Sequence, residues 1–220
     1  MYIPEKVTWL DLKNKHKGEE CLIVGNGPSL KNVPLEFLNK YPSFGTNRIY
    51  LLEGFKPTYY CSVNPLVIGQ FTEDIARIEA PKFIPSQFCF DESCIPLHSS
   101  SIPVFSQDAS IWVYEGHTVT FVCLQVAFYM GFSTVLLVGV DHSFKYDGEP
   151  NEQNLFQGDD PNHFSKEYFR GAQWNNPDLE RSEKAYKLAR FVYETNHRRI
   201  INLTPDTKEQ AFEKGNINDW

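Results

Sequence analysis

The chain has 220 residues, of which 41% are hydrophobic and 15% aromatic, and its net charge is −7. Such a chain is long and apolar enough for one globular domain with a sizeable core. Its acidic balance argues against sequence-independent nucleic-acid binding, which needs Lys and Arg to displace counterions, and against an anionic membrane surface.

The first 18 residues lack the apolar centre of a signal peptide. The five cysteines are Cys21, Cys61, Cys89, Cys94 and Cys123, an odd number with no C-x-x-C pair. They read as thiols of a reducing compartment, so a cytoplasmic location is expected.

Residues 20–24, Glu-Cys-Leu-Ile-Val, read as a first strand, and Gly25-Asn26-Gly27-Pro28-Ser29 follows at its end. Residues 34–40 read as a short helix and 42–46 as a second strand, with Asn47 just beyond. A third strand over 57–63 runs into Asn64-Pro65. Residues 66–78 carry Val67, Phe71, Ile75 and Ile78 at helical spacing. A short strand is expected over 81–85 and irregular chain over 86–117. Residues 118–140 carry no charge and are long enough to span a bilayer. Gly131-Phe132-Ser133-Thr134 interrupts them, so they read as a helix (118–130), a turn and a central strand (134–140), with no integral membrane segment. Residues 141–178 look like a long insert. Its Phe144, Tyr146, Phe156, Phe164, Tyr168, Phe169 and Trp174 argue for an ordered lid rather than disorder. An amphipathic helix over 179–196 starts after Asn176-Pro177-Asp178, and 199–202 form a last strand. This alternation predicts a single α/β domain over residues 1–220, Rossmann-like, with a mostly parallel sheet flanked by helices. Ligands of such sheets bind beyond the carboxyl ends of the strands.

Several candidate residues fall at those ends. Gly25 and Gly27 would let a ligand approach the backbone, and N–H groups near Gly27 and Ser29 would meet a phosphate. The loop is no dinucleotide fingerprint, because Leu30 replaces the third glycine and Asn47 replaces the ribose-binding acid. It is no P-loop either, because no G-K-[ST] follows. Asn26, Asn47 and Asn64 would place three amides along one sheet edge, suited to a base, ribose or carboxylate, although asparagine is also a common turn residue. Asp141 and His142 close the central strand, where Asp141 would hold a ligand or cap the chain. His163 in the insert has the chemistry of a general acid or base, and Tyr146 and Tyr168 could donate to a leaving phosphate. Asp141, His142, Asp159, Asp160 and His163 are metal-ligand types, but no D-x-D stands at a strand end. No metal site is assigned and no cofactor is firmly implied.

The order Gly25-Asn26-Gly27-Pro28-Ser29-Leu30, Thr46-Asn47-Arg48, Val63-Asn64-Pro65 and Gly139-Val140-Asp141 resembles the bacterial sialyltransferases of glycosyltransferase family 42. It also resembles the related domain family named after the archaeal 6-hydroxymethylpterin diphosphokinase MptE. The resemblance covers about residues 18–205. It implies a CMP-sugar held by the loop and by Asn26, Asn47 and Asn64, a phosphate-binding tyrosine at Tyr146, and a lid histidine as base at His163. His142 would serve if the lid is placed otherwise. Thr118 or His117 stands where the family has a nucleotide-contacting serine, and Phe144 where it favours tyrosine. The expected function is a nucleotide-dependent transferase, first a glycosyltransferase of surface-polysaccharide or lipopolysaccharide synthesis. It would use a CMP-type nucleotide sugar and a small-molecule or glycan acceptor. The nucleotide set is then Gly25, Asn26, Gly27, Pro28, Ser29, Asn47, Asn64, Thr118 and Asp141. One alternative is an ATP- and Mg-dependent diphosphokinase acting on a pterin-like alcohol, with Asp141 and Asp159 holding the metal and Phe144 or Trp174 stacking on the ring. Another is a non-catalytic nucleotide-binding module. The sequence leaves homo-oligomer formation open.

Overall fold

Short apolar runs cannot bury themselves alone, and this chain lays eight of them side by side. A computed structural model describes residues 6–220. The strands are β1 (Glu20–Val24), β2 (Ser43–Thr46), β3 (Tyr59–Cys61), β4 (Lys82–Pro85), β5 (Cys94–Leu97), β6 (Thr134–Val138), β7 (Arg199–Asn202) and β8 (Glu213–Lys214). Their spatial order is β8-β7-β6-β1-β2-β3-β4-β5, and every neighbouring pair is parallel. Val24 lies opposite both Gly45 and Val138, so the carboxyl ends of the three central strands are level. The sheet grows outward from β1 in both directions. The reversal of winding between β1 and β6 opens a crevice at those ends.

Side chains of β1 alternate between two cores. Cys21 and Ile23 join one cluster, and Leu22 and Val24 join the other. The first cluster is covered by α5 (Val119–Tyr129) and α6 (Leu179–Thr195), with α1 (Trp9–Leu12) at its margin. The second is covered by α2 (Leu35–Leu38), α3 (Pro65–Gln70), α4 (Thr72–Ala76) and the insert's Phe164, Tyr168, Phe169 and Trp174. Residues Thr120 to Tyr129 of α5 are all buried, which is why this stretch carries no charge. Gly131 then turns the chain at φ 92, with the Lys17 and Asn14 backbones 3.0 and 3.1 Å from where a Cβ would sit. No described helix is long and apolar enough to cross a membrane.

Four local expectations change. The helix read over 66–78 is two helices, joined at Phe71 with φ −126. Its apolar spacing survives the break because Val67 and Ile75 still face the sheet core, while the Phe71 ring packs 3.8 Å from the Arg48 guanidinium carbon. The central strand ends at Val138 rather than 140, because Gly139 takes φ 66. Region 86–117 contains β5, whose exposed Pro96 is tolerated on an edge strand. It also contains a short parallel pairing of residues 99–100 with 113–114. The insert has its own antiparallel pair, Gln153–Leu155 with Gln173–Asn175.

Thr120 and Gln125 are buried polar side chains in the otherwise apolar α5. Gln125 is fully buried, and its Oε1 accepts from the backbone N–H of Ser106 (3.0 Å) and of Tyr114 (3.1 Å). Its Nε2 donates to the Tyr114 carbonyl at 2.7 Å. The amide thus stands in for a neighbouring strand. Gln125→Leu would strand these three backbone groups, and urea denaturation should show a loss of about 2–4 kcal/mol.

Candidate functional site

The loops after the central strands enclose a cavity of about 630 Å³. Residues 25–27, 46–47, 63–64 and 139–144 line it from the sheet. The start of α5, the insert and the first turns of α6 close the other sides. Of the residues singled out from the sequence, Gly25, Asn26, Gly27, Asn47, Asn64, Thr118, Asp141, His142 and His163 all line this cavity. Pro28, Ser29 and Tyr146 do not.

The glycine loop works differently from the expectation. Residues Pro28–Asn32 form one short 3-10 turn. Ser29 donates its backbone N–H to Asp141 Oδ1 (3.1 Å) and its hydroxyl to Oδ2 (2.7 Å). The Gly27 N–H is bonded to the Gly139 carbonyl at 2.9 Å. A Cβ on Gly27 would run into the Asp141 carboxylate, so glycine is required there by close approach. The donors expected to meet a phosphate are therefore taken by the chain's own carboxylate and carbonyl. Burial pushes the Asp141 carboxyl above its ordinary value, against the opposing pull of the Ser29 bonds.

The three asparagines each commit one end to the fold. Asn26 Nδ2 donates to the Thr46 carbonyl (3.0 Å) and hydroxyl oxygen (2.9 Å). That hydroxyl donates to the Val24 carbonyl, which fixes the amide's orientation. Asn26 Oδ1 is left buried without a partner among the described residues. Asn47 sits at φ 48 and its Oδ1 accepts from Ser62 Oγ at 3.1 Å. Asn64 caps α3, accepting from the Leu66 N–H at 2.9 Å. Thr118 caps α5, and its Oγ1 lies 3.3 Å from the Tyr186 hydroxyl.

Each cavity histidine faces a carboxylate. His163 Nδ1 is 2.8 Å from Asp160 Oδ2, with the Asp160 side chain fully buried. His142 Nε2 is 3.3 Å from Glu183 Oε2, and His117 Nδ1 is 4.0 Å from Asp178 Oδ2. The sequence offers Asp160 only as a metal-ligand type, although its i, i+3 spacing to His163 is the signal for this contact. The carboxylates Glu115 and Asp178 also line the cavity, and no Lys or Arg does.

Other expectations are corrected by geometry. Tyr146 donates its hydroxyl to the Pro177 carbonyl at 3.2 Å, outside the cavity lining. The Tyr168 hydroxyl is buried and accepts from the Arg48 N–H at 3.1 Å. Neither hydroxyl is aimed at a phosphate in the cavity. Asp159 is exposed and pairs with Arg170 and Lys166, away from Asp141. Among the described residues, no three His, Cys, Asp or Glu side chains converge on a metal position.

Burial also pushes the His142 imidazole below its ordinary 6.5, overcoming the attraction of Glu183 and Glu209, while Lys214 adds to the lowering. A histidine depressed in the fold binds fewer protons there than in the unfolded chain. Its contribution is therefore complete above pH 6.5 and lost as pH falls toward the depressed folded value. The melting temperature should drop as pH falls below 6.5, more steeply than in His142→Asn. Asparagine suits the left-handed backbone of this position, φ 52. Parallel slopes in the two proteins would count against the assignment.

A family model described as 6-hydroxymethylpterin diphosphokinase MptE-like matches residues 2–147. The match takes in the glycine loop, Asn47, Asn64, Thr118 and Asp141, and stops before Asp160 and His163. No curated protein and no solved structure matches the chain. The matched span exceeds half of the 220 residues. The chain belongs to the 6-hydroxymethylpterin diphosphokinase MptE-like family, whose name is that of a nucleotide-related transferase.

Proposed function

We propose that the protein transfers a group from a nucleotide-activated donor to a hydroxyl acceptor, with His163 as the general base. The observation that carries this reading is an imidazole paired to a buried carboxylate in the same crevice as the strand-end asparagines. In the step, the acceptor O–H proton passes to His163 Nε2 as the acceptor oxygen forms its new bond. The bond from the transferred group to the leaving phosphate breaks, and its electron pair stays on the nucleotide. Positioning and fixed dipoles supply most of the catalysis.

The donor favoured by the lining is a CMP-type nucleotide sugar, with a small-molecule or glycan acceptor. Glu115, Asp141 and Asp178 border the cavity, and of these only Asp178 has a Lys or Arg partner among the described residues, Arg181 at 3.6 Å outside the lining. A donor with one phosphate meets less repulsion there than a triphosphate. Thr118 and the start of α5 are the dipoles available to that phosphate, and Asn26, Asn47 and Asn64 border the space for a base or ribose.

Family membership favours a second reading, diphosphoryl transfer from ATP to a pterin-like alcohol. There the acceptor oxygen would bond to the β-phosphorus and AMP would leave. The acidic lining suits phosphates that bring their own cation, because among the described residues no three carboxylate or imidazole groups converge on a metal position. Mg²⁺ bound this way would neutralise phosphate charge. Phe144, Phe169 and Trp174 line the cavity and could stack on the heterocycle.

A thermal-shift series with CMP, CDP, UDP, GDP and ATP, with and without Mg²⁺, separates the readings. Metal-independent stabilisation by a cytidine nucleotide supports the first, and stabilisation by ATP only with Mg²⁺ supports the second. No response to any nucleotide sinks both. His163→Ala should keep the nucleotide-induced shift and lower turnover by about 10²–10⁴-fold. Unchanged turnover would remove His163 as the base.

A further inference from the structure

We infer that Asp160 is a positioning residue that sets the tautomer of His163, holding its proton on Nδ1 and turning a bare Nε2 toward the cavity. The inference deepens the assignment of His163 as base and rests on it.

The carboxylate cannot turn away from the ring. Asp160 Oδ2 lies 2.8 Å from His163 Nδ1, and Oδ1 accepts the Asn162 N–H at 2.8 Å. The Asp160 N–H is bonded to the Lys166 carbonyl at 2.8 Å. Asn162 is clasped in turn by the Lys145 backbone, through bonds of 2.7 Å from its N–H and 2.9 Å to its carbonyl. The turn that carries Asp160 is thus tied to the chain leaving β6.

The ring itself has little freedom. Tyr168 lies parallel to it at 3.9 Å and 3°. Phe169 and Phe144 meet it edgewise at 5.3 and 6.0 Å. Tyr168 is braced from the loop after β2, its hydroxyl by the Arg48 N–H and its carbonyl by the Arg48 guanidinium.

The chemistry follows from the partner. An ionised carboxylate only accepts, so the nitrogen facing it must carry hydrogen. In a neutral imidazole the other nitrogen then holds a lone pair. Asp160 is fully buried at its side chain and has no Lys or Arg partner among the described ion pairs. A carboxylate withdrawn from water for one imidazole is a poor source of stability, because desolvation offsets most of the attraction. It is well suited to orientation. The other ionisable groups near the ring are Asp141, which lines the same cavity, and Arg48 beyond Tyr168.

Asp160→Asn in the full chain tests this. The asparagine oxygen keeps the bond from the Asn162 N–H, and its NH₂ then donates to Nδ1. The imidazole proton is displaced to Nε2, the wrong nitrogen for a base. Nitrogen-15 NMR of histidine-labelled protein at alkaline pH should show His163 as the Nδ1–H tautomer in the wild type and as Nε2–H in the variant. With a donor that is turned over, kcat should fall by about 10²–10⁴-fold while KM for the nucleotide stays within about twofold. An Nε2–H tautomer in the wild type overturns the inference, and so does an unchanged kcat in a variant whose tautomer has switched. If Asp160→Asn fails to fold, the wild-type spectrum alone decides. A wild type that shows Nδ1–H but turns over no donor sinks the transferase reading and leaves this inference standing.

Discussion

Two hydrogen bonds from Ser29 to the Asp141 carboxylate tie together the loops on either side of the sheet's switch point. Bonds to a charged, part-buried acceptor are each worth about 1.5–3 kcal/mol. The same strand end is gripped from a third loop. The Asp141 carbonyl accepts the Lys208 N–H at 2.9 Å, and the Thr207 hydroxyl donates to the Val140 carbonyl at 2.7 Å. The Thr204 oxygen accepts the Val140 N–H at 3.0 Å. Chain segments after β1, β6 and β7 therefore fix one another, and the crevice floor is set before any ligand arrives. The cost falls on function, because the anion position at the Pro28–Asn32 turn is filled from within.

The insert is anchored on that floor. The Phe164 N–H bonds to the Asn26 carbonyl at 2.9 Å, placing the residue after His163 directly on the glycine loop. Arg48 stacks on Phe71 and holds the Tyr168 carbonyl, a contact of the kind worth about 0.5–2 kcal/mol. Gln70 bonds both the N–H and the carbonyl of Gln173 at 2.8 Å. With Phe164, Tyr168, Phe169 and Trp174 buried in the second core, the insert carries its own share of apolar burial. That is why so long a connection can be ordered and can present a histidine with a fixed orientation.

The parallel sheet was legible because most of its inner strands are compact apolar runs with Gly, Asn or Pro at or just beyond their ends. The positions of Asn26, Asn47 and Asn64 followed from it. The pairing of Asp141 with Ser29 was not legible, since the two are 112 positions apart and only the sheet order brings them together. The same holds for Tyr146, whose hydroxyl is claimed by Pro177 across the insert. β5 and β8 were missed for a different reason. Edge strands may carry a proline or charged residues, as Pro96, Glu213 and Lys214 do, and so lack the apolar signature of β1 and β6. Asn64 shows how one residue type serves two ends, because its carbonyl caps α3 while the residue still borders the cavity.

Electrostatics then narrows how this crevice can recognise anything. Its lining offers carboxylates, histidines, amides and hydroxyls, but no permanent cation. An anionic ligand must be held by neutral dipoles or bring its own counter-charge. Neutral hydrogen bonds contribute only about 0.5–1.5 kcal/mol each, so affinity has to come from several of them acting together. Discrimination is sharper than affinity under such conditions. Asn26 Oδ1 cannot rotate away, because Thr46 holds its nitrogen, and it is buried without a donor among the described residues. Were the loop to shift and bring it to the cavity surface, a ligand N–H or O–H would satisfy it, whereas a ligand carbonyl would leave two acceptors facing each other. Sites that leave buried polar groups unpaired with the wrong ligand reject it far more strongly than sites that lose only an apolar contact. The loop that the sequence presents as a phosphate cradle thus offers an anion no free donor at Gly27 or Ser29, since Gly139 and Asp141 hold them.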